Sequence, residues 1–352
     1  MEDLYERIVA DLKQKQTISP EDLKTLLADR EETHESRLFA AARERAVQTF
    51  GKQIYLRGLI EFTNYCKNDC YYCGIRAGNA RAKRYRLSEE EILACCNRGE
   101  TLGFRTFVLQ GGEDPFYSDD DICGIIEKIK KKHPDCAVTL SIGERSREAY
   151  RRFFESGAER YLLRQETANE AHYSMLHPPA MSAENRKRCL WDLKEIGYQV
   201  GCGFLVGTPG QGVSEIYEDL IFMQELQPQM IGIGPYLAHQ DTPWRDKPDG
   251  NVTDTLRLLS VLRLLFPKAL LPATTALGTA DPKGREKGIL AGANVLMPNL
   301  SPAAVREKYL LYDGKICTGE EAAECVKCLS DRIEQIGYTV AESRGDHPDF
   351  CQ

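Results

Sequence analysis

One phrase recurs along the middle of the chain: an amphipathic stretch closes on Gly, and an apolar run of four to eight residues follows. It reads Thr101-Leu-Gly103 then Phe104 to Leu109, and Ser156-Gly157-Ala then Arg160 to Leu163. It returns as Ile196-Gly197 then Tyr198 to Val206, and as Ala291-Gly292-Ala then Asn294 to Met297. Each Gly suits the left-handed residue that ends a helix. Each apolar run suits a strand buried on both faces, as in a parallel sheet. Filling the gaps predicts strands near 54–62, 104–109, 136–141, 160–164, 198–206, 230–234, 270–274 and 294–297, with helices between them. Ser88 and Glu91 form a capping box, and Ser19-Pro20 reads as a cap followed by Pro at the first helical position. The fold class is therefore α/β: a (βα)8 TIM barrel with N-terminal helices and a C-terminal closing segment. A doubly wound open sheet is the structural alternative. Residues 1–50 read as two leading helices, 51–300 as the barrel, and 301–352 as a closing segment with a second cysteine group.

The chain has 352 residues, within reach of one α/β barrel, and its 42% hydrophobic content can fill a large core. The net charge is −7 and Lys and Arg form no stripe, which argues against a nucleic-acid partner. The run Lys128-Ile-Lys-Lys-Lys132 is short and ends a predicted helix, where cations suit the dipole. Of the 13 cysteines, Cys95, Cys96, Cys123 and Cys189 fall in helical patterns and read as small hydrophobes in a reducing cytosol. The start, Met1-Glu-Asp-Leu-Tyr-Glu6, lacks the apolar region of a signal peptide. The most apolar helix, Leu256 to Phe266, carries Arg257 and Arg263, and no segment is long enough to cross a membrane. The expectation is a soluble, cytoplasmic protein.

Cys66, Cys70 and Cys73 directly follow the first predicted strand. Reactive groups of a TIM barrel come from the loops after its strands, so the triplet falls on the catalytic face. The spacing C-x3-C-x2-C supplies three thiolates within eight residues, and the next cysteine is Cys95. Three thiolates hold three corners of a [4Fe–4S] cube and leave the fourth iron open to an outside ligand. A structural zinc site would want four ligands, and a bacterial ferredoxin run has a different spacing. Three inert buried cysteines are the plainer reading. With Tyr72 before Cys73, the stretch resembles the C-x3-C-x-aromatic-C signature of the radical S-adenosylmethionine (SAM) enzymes. That resemblance implies a cluster whose open iron takes the amino and carboxylate groups of SAM. An electron then breaks a carbon–sulfur bond and leaves a 5′-deoxyadenosyl radical. It also implies an anaerobic host.

Other strand ends offer polar groups. In Gln110-Gly-Gly-Glu-Asp114, Gly111 and Gly112 permit close backbone approach and Glu113 can face a cation; a turn with an acidic cap is the plainer reading. Alternation places Arg160, Leu162, Arg164 and Glu166 on one side of the fourth strand, and Tyr161, Leu163 and Gln165 on the other. Charges on a barrel strand are costly to bury unpaired, so they mark a polar site or, structurally, an ion pair at the rim. Arg186 opens a helix. Gly201 to Gly210 forms a glycine-rich strand end. Thr139, Ser141, Thr274, Thr275, Tyr309 and Tyr312 together suggest a small polar substrate pocket. Near the C-terminus, Cys317, Cys325 and Cys328 repeat a three-thiolate set as C-x7-C-x2-C. They could hold a second iron–sulfur cluster, with Cys351 as a further candidate ligand; a zinc site or inert thiols compete.

Arg57 to Glu61, the triplet, Leu109 to Pro115, Tyr161 to Asn169, Gly232 to Pro235, Pro272 to Thr275, Met297 to Asn299 and Gly314 to Cys317 together resemble the HydE family of [FeFe]-hydrogenase maturases. The resemblance implies a complete barrel with SAM, a [4Fe–4S] cluster and a dispensable second cluster, [2Fe–2S] or [4Fe–4S]. It implies a small organometallic iron precursor carrying CO, cyanide and cysteine, made by HydG, with the radical attacking the cysteine sulfur. The product would pass toward the scaffold protein HydF, and a ferredoxin or flavodoxin would supply electrons. The resemblance places Glu113, Arg164, Glu166 and Arg186 at SAM, and Thr139, Arg160, Thr274, Thr275, Tyr309 and Tyr312 near substrate. Gln165 stands where the family has His.

Methylornithine synthase, a lysine mutase, is the runner-up. Its cationic substrate calls for an acidic residue deep in the pocket, and none on the strand ends is unassigned. Biotin synthase needs a sulfur-donating cluster inside the barrel, and only Cys136 and Cys202 fall on predicted strands. A non-catalytic iron–sulfur scaffold or electron carrier is the alternative from another class.

Overall fold

The computed structural model describes residues 3–319 and 326–350. The strands are β1 (Gln53–Leu56), β2 (Gly58–Thr63), β3 (Thr106–Gly111), β4 (Ala137–Ser141), β5 (Ala158–Leu162), β6 (Gln199–Cys202), β7 (Leu205–Val206), β8 (Met230–Ile231), β9 (Gly234–Pro235), β10 (Val295–Leu296) and β11 (Thr339–Ala341). β2, β3, β4, β5, β6 and β8 form one sheet in that order, and every pairing is parallel. β1 pairs with β10, and single bridges from Met230 to Leu270, Pro272 to Val295 and Leu59 to Asn299 close the remaining seams. The sheet thus meets itself as a barrel, and the open-sheet alternative falls.

The strand expected at 270–274 contributes only two bridges. Pro272, which cannot donate to a ladder, lies in its middle. The expected strand 198–206 divides into β6 and β7 at Gly203, whose φ is 150°. A Cβ there would sit 2.0 Å from the Gly232 carbonyl oxygen, so the two backbones touch. Gly103, Gly157, Gly197 and Gly292 all take positive φ, between 91° and 111°, as the recurring phrase requires.

The outer layer comprises α1 (Leu4–Lys15), α2 (Pro20–Ala28), α3 (Glu32–Phe50), α4 (Glu89–Thr101), α5 (Asp119–Lys132), α6 (Arg147–Glu155), α7 (Glu170–Leu176), α8 (Ala183–Ile196), α9 (Val213–Leu226), α10 (Val252–Leu265), α11 (Thr275–Ala280), α12 (Gly284–Leu290), α13 (Ala303–Arg306) and α14 (Val326–Gln335). The capping box at Ser88 and the Ser19-Pro20 cap are both formed. Three helices, not two, lead into the barrel. They explain the apolar α10: α3 covers its outer side, and every residue from Thr255 to Leu265 is buried. Arg257 reaches Glu35 of α3 at 2.9 Å. Arg263 donates to the carbonyls of Gly292, Pro267 and Ala269 at 2.7–2.8 Å. Among the described residues no helix is long and apolar enough to cross a membrane.

The C-terminal segment closes the end of the barrel where the strands begin. β11 runs parallel to β1, and residues 344–347 pass beneath the first residues of β3 and β6.

Candidate active site

The loop after β2 carries the three cysteines to the opposite end, where the strands finish. Cys66 and Cys73 line a cavity of about 310 Å3, and Cys70 lies beside Met181, sulfur to sulfur at 3.8 Å. Burial pushes all three thiols up, Cys73 to about 12; Cys73 and Cys66 raise Cys70 further, and Cys66 raises Cys73. Converging thiolates in a low-dielectric site repel unless a multivalent cation holds them. The donor set therefore fits an iron–sulfur cluster.

The turn after β3 lies directly against this loop. A Cβ on Gly112 would fall 2.2 Å from the Tyr65 carbonyl oxygen and 2.6 Å from Cys66 Cβ. The Glu113 amide donates to Cys66 Sγ at 3.4 Å. The Glu113 carboxylate is buried, accepts from the Glu144 amide at 3.0 Å, and faces Lys67 at 3.3 Å and Arg186 at 3.7 Å. Arg186 also meets Glu144 at 2.8 Å.

Across the cavity, Arg164 and Glu166 pair at 3.1 Å. Glu166 has φ 65°, a left-handed conformation that costs a non-glycine residue of order 1 kcal/mol and marks functional sites. Its Oε2 is buried without a hydrogen-bond partner. Burial pushes the carboxyl up, against the pull of Arg164 and Arg186. A buried acceptor left open beside the cysteines is what a ligand hydroxyl would fill. Gly111, Ser141, Thr274, Thr275, Tyr309 and Tyr312 line the same cavity. Thr274 also caps α11.

Two sequence expectations need correction. Arg160 does share a face with Arg164, yet its side chain is wholly buried at the other end of the barrel. There it donates to Asp346 at 2.6 Å and Thr106 at 3.0 Å, and it does not line the cavity. Thr139 lines a separate void of about 20 Å3 beneath, with Arg57 and Met230. Alternation reports a side chain's face, whereas a barrel interior is stacked in layers.

An unassigned acidic group does exist at a strand end. Glu61, near the end of β2, lines the cavity at 1% exposure. Its carboxylate takes Lys315 at 2.5 Å and Asn299 at 2.8 Å, so it presents no free anion. A charge inside the buried run Gly58-Leu-Ile-Glu-Phe-Thr63 was the available signal. Gln165 faces out of the barrel but is buried, bonded to Asp219 at 2.9 Å and to the Gly203 amide at 2.8 Å.

Of the second cysteine group, Cys317 lies next to the Arg285 guanidinium at 2.6 Å. Cys328 is disulfide-bonded and would ligate only after reduction. Cys325 and Cys351 lie outside the described residues.

The barrel mouth thus joins a loop of three thiols to a pocket lined by paired charges, and the class this fold and donor set define is the radical SAM enzymes. The radical SAM superfamily description matches residues 60–223. The chain is 42% identical over 331 residues to [FeFe] hydrogenase maturase subunit HydE of Thermotoga maritima, covering 94% of each. It is 30% identical over 327 residues to 3-methylornithine synthase of Methanosarcina acetivorans, covering 92% of this chain and 91% of that one. The crystal structure of methylornithine synthase (PylB) superposes with a TM-score of 0.85 at 29% identity, over 95% of this chain and 97% of that chain. The chain belongs to the HydE family of that superfamily, whose membership implies a [4Fe–4S] cluster and SAM.

Proposed function

We propose that this enzyme reductively cleaves SAM and acts on a small cysteine-bearing organometallic iron precursor during assembly of the [FeFe]-hydrogenase active site, the H-cluster. The observation that carries the reading is the open Glu166 Oε2 in the cavity that Cys66 and Cys73 line. When bound, the cluster and SAM supply one electron and a cleavable carbon–sulfur bond, giving a 5′-deoxyadenosyl radical. The chain's own residues bind and orient. Gly111 and Gly112 bring the β3 turn against the cysteine loop, and Glu113 offers a carboxylate to the SAM ammonium. Arg164 and Arg186 suit its carboxylate, and Glu166 accepts from the ribose. Ser141, Thr274, Thr275, Tyr309 and Tyr312 form the polar substrate wall. A second cluster at Cys317, Cys325 and Cys328 would be accessory. HydG supplies the substrate, HydF receives the product, and a ferredoxin or flavodoxin reduces the cluster, all in the cytoplasm.

Reconstituted, reduced protein mixed with SAM is expected to release 5′-deoxyadenosine. Its absence would leave a scaffold or electron carrier. Faster release with the HydG product than with L-lysine supports hydrogenase assembly. Conversion of L-lysine to 3-methylornithine supports the mutase, a second reading favoured by the likeness to methylornithine synthase, although Glu61 is neutralised by Lys315.

A further inference from the structure

We infer that the outer face of the cysteine loop is the docking surface for an acidic protein that delivers single electrons. The inference rests on the reading that Cys66, Cys70 and Cys73 hold a cluster. With SAM on the cavity side, the electron must arrive from elsewhere. The carrier is oxidised by one electron and the cluster reduced by one; no bond is made or broken.

Charge distinguishes this face. Residues 64–88 hold six Lys and Arg against one carboxylate, in a chain whose net charge is −7. The second half of that segment folds back over the first. Arg84 donates to the carbonyls of Asn64, Ile75 and Arg76 at 2.5–2.8 Å, and the Asn64 side chain donates to the Lys83 carbonyl at 2.9 Å. Lys83 is exposed, and neither it nor Arg84 meets a carboxylate among the described residues. The Arg81 side chain is 81% exposed and paired with Asp241.

An apolar anchor adjoins the cations. Phe116 is 63% exposed, more than any other large hydrophobic among the described residues. The Arg86 guanidinium, paired with Asp114, lies 4.4 Å from the centre of the Phe116 ring and 3.7 Å from that of Tyr65, the residue before Cys66. The acidic run beyond is already occupied: Asp119 faces Arg145, Asp120 faces Arg152, and Asp121 closes the Ser118 cap. Lys67, Arg76, Arg81 and Arg86 each pair with a carboxylate, and among the described residues Lys83 stays free at the rim. An exposed aromatic with arginine at the centre and a free lysine beside it suits a protein partner with an acidic rim around a flavin or iron–sulfur centre.

The test mixes reconstituted protein, without SAM, with reduced flavodoxin and follows cluster reduction by stopped-flow absorbance. Lys83→Glu and Phe116→Ala should each slow reduction, the former about 10-fold at low salt, with Lys83→Gln between. The wild-type rate should fall as salt rises from about 10 mM, where the Debye length is ~30 Å, to about 1 M, where it is ~3 Å. Reduction by dithionite should stay unchanged in every variant. Wild-type rates with flavodoxin in both variants, a rate indifferent to salt, or an equal loss with dithionite would overturn the docking surface. Failure of dithionite-reduced wild type to cleave SAM would instead overturn the functional reading, because the docking assay contains no SAM.

Discussion

Replacing Arg160 with Met should loosen the floor of the barrel and leave SAM cleavage intact. The magnitude follows from its partner. Burial alone would raise the Asp346 carboxyl, but Arg160, Gln199 and Arg344 together hold it at about 2, below an ordinary 3.8. At about 1.36 kcal/mol per pH unit, that net depression is worth about 2 kcal/mol, the pull of the partners less the cost of burial. Arg160→Met removes one partner and its bonds to Thr106 and the Arg344 carbonyl, while Arg344 and Gln199 remain on the carboxylate. The expected loss is about 2 kcal/mol, below the range for stripping a buried ion pair completely. Urea unfolding of the apo-protein measures it, and Asp346→Asn in a double-mutant cycle isolates the pair. Because the carboxyl is depressed in the folded state, its contribution is complete above about pH 4 and fades as pH falls toward 2. The variant's stability should therefore vary less with pH over that window. An unchanged urea midpoint, with substrate turnover lost but SAM cleavage retained, would return Arg160 to the substrate pocket and refute the floor assignment.

Gly112→Ala should lower iron per chain, since its Cβ would meet the Tyr65 carbonyl at 2.2 Å; full iron content would show that the turn can yield. Glu166→Gln should weaken SAM binding about 10-fold, near 1.4 kcal/mol by calorimetry, and an unchanged Kd would remove Glu166 from the nucleotide site. Lys315→Met strands Glu61 in the cavity wall and should cost about 3 kcal/mol in urea unfolding, recovered largely in Glu61→Gln/Lys315→Met. Serine at Cys317, Cys325 and Cys328 together should cut iron content yet leave SAM cleavage; its loss would mean that the tail group serves the main site.

The recurring helix–Gly–strand phrase was sufficient for the barrel because its causes are local. A glycine at positive φ ends a helix wherever that helix packs, and a doubly buried strand must be apolar. The thiolate triplet was equally legible, since eight residues of spacing define its donor set without help from the rest of the fold. Gly112 and Glu113 were found for the same reason: a strand end identifies the face on which its next residues emerge.

Depth and pairing were not written locally. Period-two alternation placed Arg160 with Arg164, and only the closed barrel sent one to the floor and the other to the mouth. Asp346 lies 186 residues from Arg160, and Lys315 lies 254 from Glu61. No pattern along the chain announces such partners, because Coulomb attraction and burial act through space. Chain spacing specified which groups would cluster at one loop, and packing of distant segments settled which charges would be neutralised and which would stay open to a ligand.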